Sequence, residues 1–179
     1  MAGGDLCLRR AEARQDVAAA VALAKEYGRW AVQVAKVEYG IDAAAESEQG
    51  LSTSIGELLQ SRGRLYLAEI DGATVGLGGL KPISEDVAEI KRMYVRPCAR
   101  GRGVGRRLLQ RLVADARSLE FRVVRLESAA FMREAHALYR SFGFEETAPY
   151  EGEFAVIPGA EKIQIFMALA LGPRDSADR

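Results

Sequence analysis

Cysteine and histidine are scarce in this chain. Its 179 residues include two cysteines, Cys7 and Cys98, and one histidine, His136. Two thiols do not build a disulfide framework, and with a lone imidazole they do not make a metal site. Such cysteine usage fits a reducing compartment, so a cytoplasmic location is expected. No stretch approaches the roughly 18 apolar residues of a membrane span, and the start, from Met1 to Cys7, lacks an apolar signal region. Net charge is also absent, because 25 basic residues offset 25 acidic ones. A balanced chain has no general attraction for nucleic acid or anionic lipid, so neither is an expected partner. The remainder, 49% hydrophobic and 28% charged, is the composition of an ordinary soluble globular protein. The length suits one domain, expected over 1–171, followed by a polar mobile tail at 172–179. His136 is expected on a helix face and is given no role.

Glycine is concentrated where the chain says most. In Arg100-Gly101-Arg102-Gly103-Val104-Gly105 three glycines alternate with basic and apolar residues, and a helical pattern follows at once. A loop so poor in Cβ atoms lets backbone N–H groups close on an anion. The next helix adds its free first-turn N–H groups and the positive end of its dipole. Arg100, Arg102, Arg106 and Arg107 surround the turn, which makes a pyrophosphate the natural ligand. Two familiar pyrophosphate loops are excluded. A Walker A loop needs Lys-Ser/Thr after its last glycine, and Gly105 is followed by Arg106-Arg107. A dinucleotide fingerprint starting at Gly101 needs a third glycine where Arg106 stands.

The rest of the chain reads as a mixed α/β layer fold, a largely antiparallel sheet of about seven strands with helices on both faces. Strands are expected over 6–9, 65–70, 74–80, 87–95, 123–127, 144–150 and 162–171. Asp71-Gly72 between two apolar extended runs is a strong hairpin signal, since both turn residues tolerate positive φ. Asp16 is the expected N-cap of a helix reaching Trp30 or beyond, and a second helix is expected over 46–60. Val104, Leu108, Leu112 and Ala116 form the core stripe of the helix after the glycine loop. Phe131, Ala135, Leu138 and Phe142 form that of another, ended by Gly143.

Arg100-x-x-Gly103-x-Gly105 resembles the Arg/Gln-x-x-Gly-x-Gly/Ala signature of the GNAT superfamily of N-acetyltransferases. The surrounding order agrees: the strand Glu-Ile-Lys-Arg-Met-Tyr-Val, a proline, the loop, a long helix, a strand, then Ala-Leu-Tyr-Arg-Ser-Phe-Gly-Phe. The resemblance is close from Glu69 to Tyr150. It implies that acetyl-CoA, a co-substrate, supplies the pyrophosphate, and that the acetyl group passes to a primary amine without a metal. It implies a gap between two parallel strands, near Met93-Tyr94-Val95 and near Val124-Arg125-Leu126, opened by a bulge in the first. The cofactor-binding set is then Met93, Tyr94, Val95 and the loop from Arg100 through Gly101, Arg102, Gly103, Val104 and Gly105 to Arg106. A backbone N–H at Met93 or Tyr94 would polarise the thioester carbonyl.

The acceptor must lose a proton, since a lysine-type amine has a pKa of roughly 10.4. Glu89 holds the glutamate position of the family's Glu-Ile strand and is the candidate base; the competing reading pairs it with Lys91 or Arg92. Tyr139, four residues before Gly143, matches the family tyrosine that faces the cofactor sulfur and is the candidate acid. Many members carry Asn seven residues before that tyrosine, where this chain has Met132. That departure motivates a second reading, a non-catalytic acyl-CoA sensor or partner-binding module. In the family the first two helices and the loop before the last strand shape the acceptor pocket. Tyr27, Trp30, Tyr39, Tyr150 and Phe154 fall there, with Glu38, Glu151 and Glu153 nearby. A small amine, an amino acid or a peptide N-terminus is the expected acceptor. Many members are dimers, which leaves a homodimer as an open expectation.

Overall fold

The computed structural model describes residues 5–12, 14–150 and 159–172. In chain order the elements are β1 (Leu6–Arg10), α1 (Arg14–Tyr39), α2 (Glu48–Glu57), β2 (Arg64–Ile70), β3 (Ala73–Pro82), β4 (Val87–Val95), α3 (Val104–Ser118), β5 (Val123–Ala129), α4 (Arg133–Arg140), β6 (Glu145–Glu146) and β7 (Gln164–Ala170). The strands form one seven-stranded sheet in the order β1-β2-β3-β4-β5-β7-β6. Only β4 and β5 run parallel; every other neighbouring pair is antiparallel. The expected mixed sheet with helices on both faces is therefore observed.

Alternation along the strands sorts side chains into two layers. Tyr66, Ala68, Ile70, Val124 and Leu126 pack with Leu108, Leu109 and Leu112 of α3 and with Tyr139 of α4. Leu65, Leu67 and Leu77 face the other way, onto Leu23 of α1 and Leu51 and Ile55 of α2. The β2–β3 turn is at Asp71-Gly72, with φ 51° and 78°. In α3 the four-residue stripe is buried while Arg106, Arg107, Arg111 and Arg117 are exposed.

Several boundaries differ from the sequence reading. Helix α1 continues to Tyr39, and Asp16 lies inside its first turn instead of capping it. The buried Asp16 carboxylate accepts from Arg9 Nη1 at 2.6 Å and from the Glu12 N–H at 2.9 Å. The cap of α2 is Ser47, whose Oγ accepts the Gly50 N–H at 3.1 Å. Strand β6 has two residues instead of 144–150; the Thr147 N–H still donates to Phe166 O at 2.9 Å, and Pro149 has no N–H to carry the ladder further. Of the expected tail at 172–179, all but Gly172 lies outside the described residues, as do Glu151, Glu153 and Phe154.

The feature that positions the site is a bulge in β4. Leu77 pairs with Tyr94 but Gly79 pairs with Lys91, so Arg92 and Met93 together oppose Gly78. Arg92 takes φ 58°, a left-handed conformation that costs an L-residue roughly 1–2 kcal/mol. Gly78 makes room, since a Cβ there would stand 2.8 Å from Met93 Sδ. Pairing of β4 with β5 runs from Val87–Val123 to Ile90–Leu126 and stops. The gap thus opens between Met93–Val95 and residues 127–129. Val124–Leu126, expected at its edge, are still hydrogen-bonded, because the bend begins only after Lys91.

Candidate active site

The ladder itself shows which peptide groups face the gap. The Arg96 N–H donates to Val75 O at 2.8 Å across to β3. Two residues earlier Tyr94, opposite Leu77, is turned the same way by the alternation of an antiparallel pair. The peptide groups of Met93 and Val95 therefore point away from β3, into the space that β5 has vacated. Val95 O accepts from Arg100 Nε at 3.2 Å on that side. Of the two residues expected to polarise a carbonyl, Met93 turns its peptide group to the gap and Tyr94 turns its own to β3.

A short 3-10 turn, Pro97–Ala99, leads from β4 to the glycine loop. Gly101 and Gly103 have φ 72° and 78°, and a Cβ on either would meet no atom within 4 Å. Glycine is required there for its backbone conformation, not for space. Among the described residues, the N–H groups from Gly101 to Arg106 make no well-formed hydrogen bond; the first helical bond is Arg107 N–H to Gly103 O, 3.0 Å. Several unsatisfied donors at a helix N-terminus form a site for an anion. The four arginines divide. Arg100 lies over Trp30, its guanidinium carbon 5.7 Å from the ring, and Arg106 lies 5.4 Å over Phe142 and donates to Ser141 Oγ at 3.3 Å. Arg107 turns away to donate to Leu6 O at 2.7 Å. The Arg102 side chain is exposed and is not in the wall of the groove that begins at this loop.

A groove of about 680 Å³ begins at this loop and runs along the gap. Met93, Tyr94, Val95, Arg100, Gly101, Gly103, Val104, Gly105 and Arg106 all line it, and Tyr139 lies in its wall. The Tyr139 hydroxyl has no hydrogen-bond partner among the described residues. Burial, with the neighbouring Tyr27 phenol as a lesser cause, pushes its pKa well above the ordinary 10.

A second cavity, about 740 Å³, lies between α1, residues 41–46, the β4 bulge and the ends of β5 and β7. The two cavities share Tyr27, Phe131 and Met132 as their common wall. Tyr27 OH approaches Met132 Sδ at 3.6 Å, and burial raises its pKa to about 12. Arg92 projects into the second cavity from the bulge and donates to Glu46 Oε2 and Ser54 Oγ, both at 2.8 Å. The sequence offers Arg92 only as a partner for Glu89, since nothing local marks a bulge there.

Glu89 sits apart from this arrangement. It is 2% exposed and lines neither cavity. Arg125 Nε donates to its Oε2 at 2.8 Å, and Lys91 Nζ stands 2.6 Å from Oε1 as an ion pair at an angle outside hydrogen-bond geometry. Arg125 in turn covers the Tyr150 ring at 3.9 Å, and Tyr150 packs edge-on against Phe166. Tyr150 thus belongs to the Glu89 cluster and not to the cavity wall. Of the other expected acceptor residues, Trp30 lines the groove, while Tyr39 touches Phe131 from an exposed position and Glu38 is exposed. His136 is on a helix face as expected, the inward face of α4. It is buried, and its Nε2 lies 2.9 Å from Ser128 Oγ; burial and then Arg140 lower its pKa below 6.5. Among the described residues no group of three or more His, Cys, Asp or Glu side chains could hold a metal ion. No described helix is long and apolar enough to cross a membrane.

Comparison with known proteins bears on this geometry. Residues 31–144 match the acetyltransferase (GNAT) family. The N-acetyltransferase YjgM of Escherichia coli K12 is 37% identical over 83 residues, 45% of this chain and 50% of YjgM. The IAA acetyltransferase of Azospirillum brasilense is 35% identical over 105 residues, 58% of this chain and 65% of the relative. The matches thus span between half and two thirds of those relatives. A Streptococcus agalactiae acetyltransferase has the same fold, with TM-score 0.70 at 19% identity, over 96% of this chain and all of that one. So does a Salmonella typhimurium structure holding acetyl-CoA, with TM-score 0.65 at 18% identity, over 97% and 98%. The family's sequence pattern runs from α1 past α4, through the bulge, the loop and the helix that bears Tyr139; the chain belongs to the GNAT family of acetyltransferases.

Proposed function

We propose that this protein transfers the acetyl group of acetyl-CoA to the nitrogen of a small primary amine. The observation that carries this reading is the row of N–H groups without partners from Gly101 to Arg106, at the head of a groove that ends beside Tyr139. That row suits a diphosphate, and Arg100 and Arg106 add charge beside it. The outward peptide groups of Met93 and Val95 suit an amide-bearing arm laid along β4 as an added strand would lie. Bound there, acetyl-CoA supplies an activated thioester.

The chain's own groups then divide the work. The Met93 N–H meets the carbonyl oxygen, where negative charge grows during attack. Tyr139 donates its proton to the sulfur as the C–S bond breaks, and the nitrogen, once bonded to the acetyl carbon, gives up its own proton to solvent. Burial raises the tyrosine's pKa, so the phenol is protonated in the resting site and its proton is in place when the thiolate develops. The second cavity brings the amine to the shared wall at Tyr27, Phe131 and Met132. For Glu89 the geometry favours a different role from that of base. Paired on both oxygens, it fastens β4 to β5 through Arg125, next to the last paired rung before the gap.

Calorimetry with acetyl-CoA, followed by a thiol-release screen over amines, amino acids and peptides, tests the reading. Binding and CoA release are expected. Gly103→Ala, which forces φ 78° on an alanine, should weaken acetyl-CoA binding about tenfold. Binding without release across the panel would instead show an acyl-CoA sensor.

A further inference from the structure

We propose that Ser128 and His136 form the path by which the acceptor nitrogen passes its proton to solvent, with Ser128 touching the nitrogen and His136 receiving the proton behind it; this rests on the acetyl-transfer reading above. Strand β5 is released from β4 after Leu126, so Ser128 stands at the open edge of the gap, across from the segment that carries Met93. It lies in the wall of the second cavity, the acceptor's side. Its Oγ is 3.5 Å from Met132 Sδ, and Met132 belongs to the wall that the two cavities share. The hydroxyl is therefore placed where an amine from one cavity meets a thioester from the other. Behind it, on the inward face of α4, His136 sets Nε2 2.9 Å from the same oxygen. Both side chains are buried, at 4% and 6% exposure. Neither has a part in polarising the carbonyl or in protonating the sulfur.

The tautomer follows from the acceptors around the hydroxyl. Ser128 has one hydroxyl proton and two acceptors beside it, an imidazole nitrogen and a thioether sulfur. The imidazole nitrogen is the stronger acceptor, and Met132 Sδ also receives the Tyr27 OH at 3.6 Å. This directs the Ser128 proton at Nε2, assigns the ring proton to Nδ1, and leaves the Oγ lone pairs for an N–H of the acceptor. Once bonded to the acetyl carbon, the nitrogen carries a surplus proton and a positive charge. That proton moves to Oγ while the Ser128 proton moves to Nε2, which leaves a neutral nitrogen, an intact hydroxyl and an imidazolium. The imidazolium releases a proton to water, and water returns one to the Tyr139 phenolate, so the exchange balances. As the C–S bond breaks, the nitrogen turns from an amine into an amide and becomes strongly acidic, so a weak base suffices. An imidazole serves only while it is neutral. Burial, and then Arg140 of its own helix, hold the His136 pKa below 6.5, while Glu146 of β6 opposes them. Arg140 and Glu146 are paired with each other, so burial leads and the ring is neutral at pH 7.

The test follows kcat against pH in the parent, Ser128→Ala and His136→Gln, with acetyl-CoA and an amine active in the thiol-release screen both saturating. Circular dichroism at each pH confines the profile to the folded protein. The parent is expected to lose kcat on acidification along a limb below the ordinary imidazole pKa of about 6.5. Each variant is expected to lower kcat about 100-fold and to abolish that limb, while acetyl-CoA affinity by calorimetry stays unchanged. Glutamine can still accept from Ser128, so a merely structural hydrogen bond would survive in His136→Gln. The double variant should lose no more than either single one, since the two residues act as a unit. A limb that persists in both variants, an unchanged kcat, or a loss of acetyl-CoA affinity that matches the loss of kcat would overturn the relay and leave acetyl transfer standing. Should the variants fold poorly, the parent decides: a kcat that stays level down to the pH at which the fold is lost would equally overturn the relay. Absence of CoA release with every amine would overturn both readings.

Discussion

Tyr139 and Glu89 are both buried ionisable side chains, yet their surroundings assign them opposite parts. The Tyr139 hydroxyl reaches the groove and is bonded to no described residue, so removing it leaves no buried partner unsatisfied. Tyr139→Phe is therefore expected to fold with ordinary stability and to bind acetyl-CoA normally, while kcat falls about 100-fold, the worth of a general acid. Binding by calorimetry and turnover by thiol release separate the two effects; unchanged kcat would remove the tyrosine from the reaction. Glu89→Gln should behave in the opposite way. It takes the charge from between Lys91 and Arg125 and should cost about 3 kcal/mol, read as a lower urea midpoint. Its pH–rate profile should keep the shape of the parent's. Loss of the limb due to a general base, with an unchanged urea midpoint, would restore Glu89 as the base. The sequence carried the identity of this residue but not its setting, since Arg125 becomes its neighbour only when β4 and β5 pair in parallel. His136 was hidden in the same way, because its partner Ser128 comes from another element.

Elements set by local backbone needs could be read directly. Asp71-Gly72 turns with positive φ at both residues, and the glycine loop leads into α3 as expected. The bulge itself was expected only through family resemblance, and its position at Arg92 has no local signature: an arginine at φ 58° is sustained by surrounding structure, not by its own preference. The consequence of that bulge can be measured amide by amide. The Val95 N–H points into the gap, whereas the Tyr94 N–H faces β3 opposite Leu77. On addition of acetyl-CoA, hydrogen exchange at Val95 is expected to slow while Tyr94 changes little, because only the former gains a new partner. Equal slowing of both would mean that the whole strand is stabilised, and equal indifference would place the acyl-CoA arm elsewhere.

At the scale of the molecule, the two cavities meet because the sheet is parted at one place, and charge is balanced everywhere except locally. With 25 basic and 25 acidic residues, bulk repulsion is small near neutrality, so stability should follow individual shifted groups. His136 is the chain's one imidazole. Its surroundings act in both directions: burial lowers its pKa, Arg140 adds to this, Glu146 opposes it, and Ser128 bonds its Nε2. The result lies below the ordinary 6.5, so the unfolded chain binds the proton more readily than the folded one. The stabilisation is complete above about pH 6.5 and is lost as pH falls through the folded value. Glu26 supplies a separate, lower window. Hydrogen bonds from Arg96 hold its carboxyl below the ordinary 4.5, outweighing burial, so its contribution is present above that value and is lost on further acidification. Thermal melts should thus show two successive declines on going from pH 7 to pH 3. His136→Gln, which can still bond Ser128, should abolish the upper decline and keep the lower one. Persistence of the upper decline in that variant would assign it to another group and leave the buried imidazole without influence on stability.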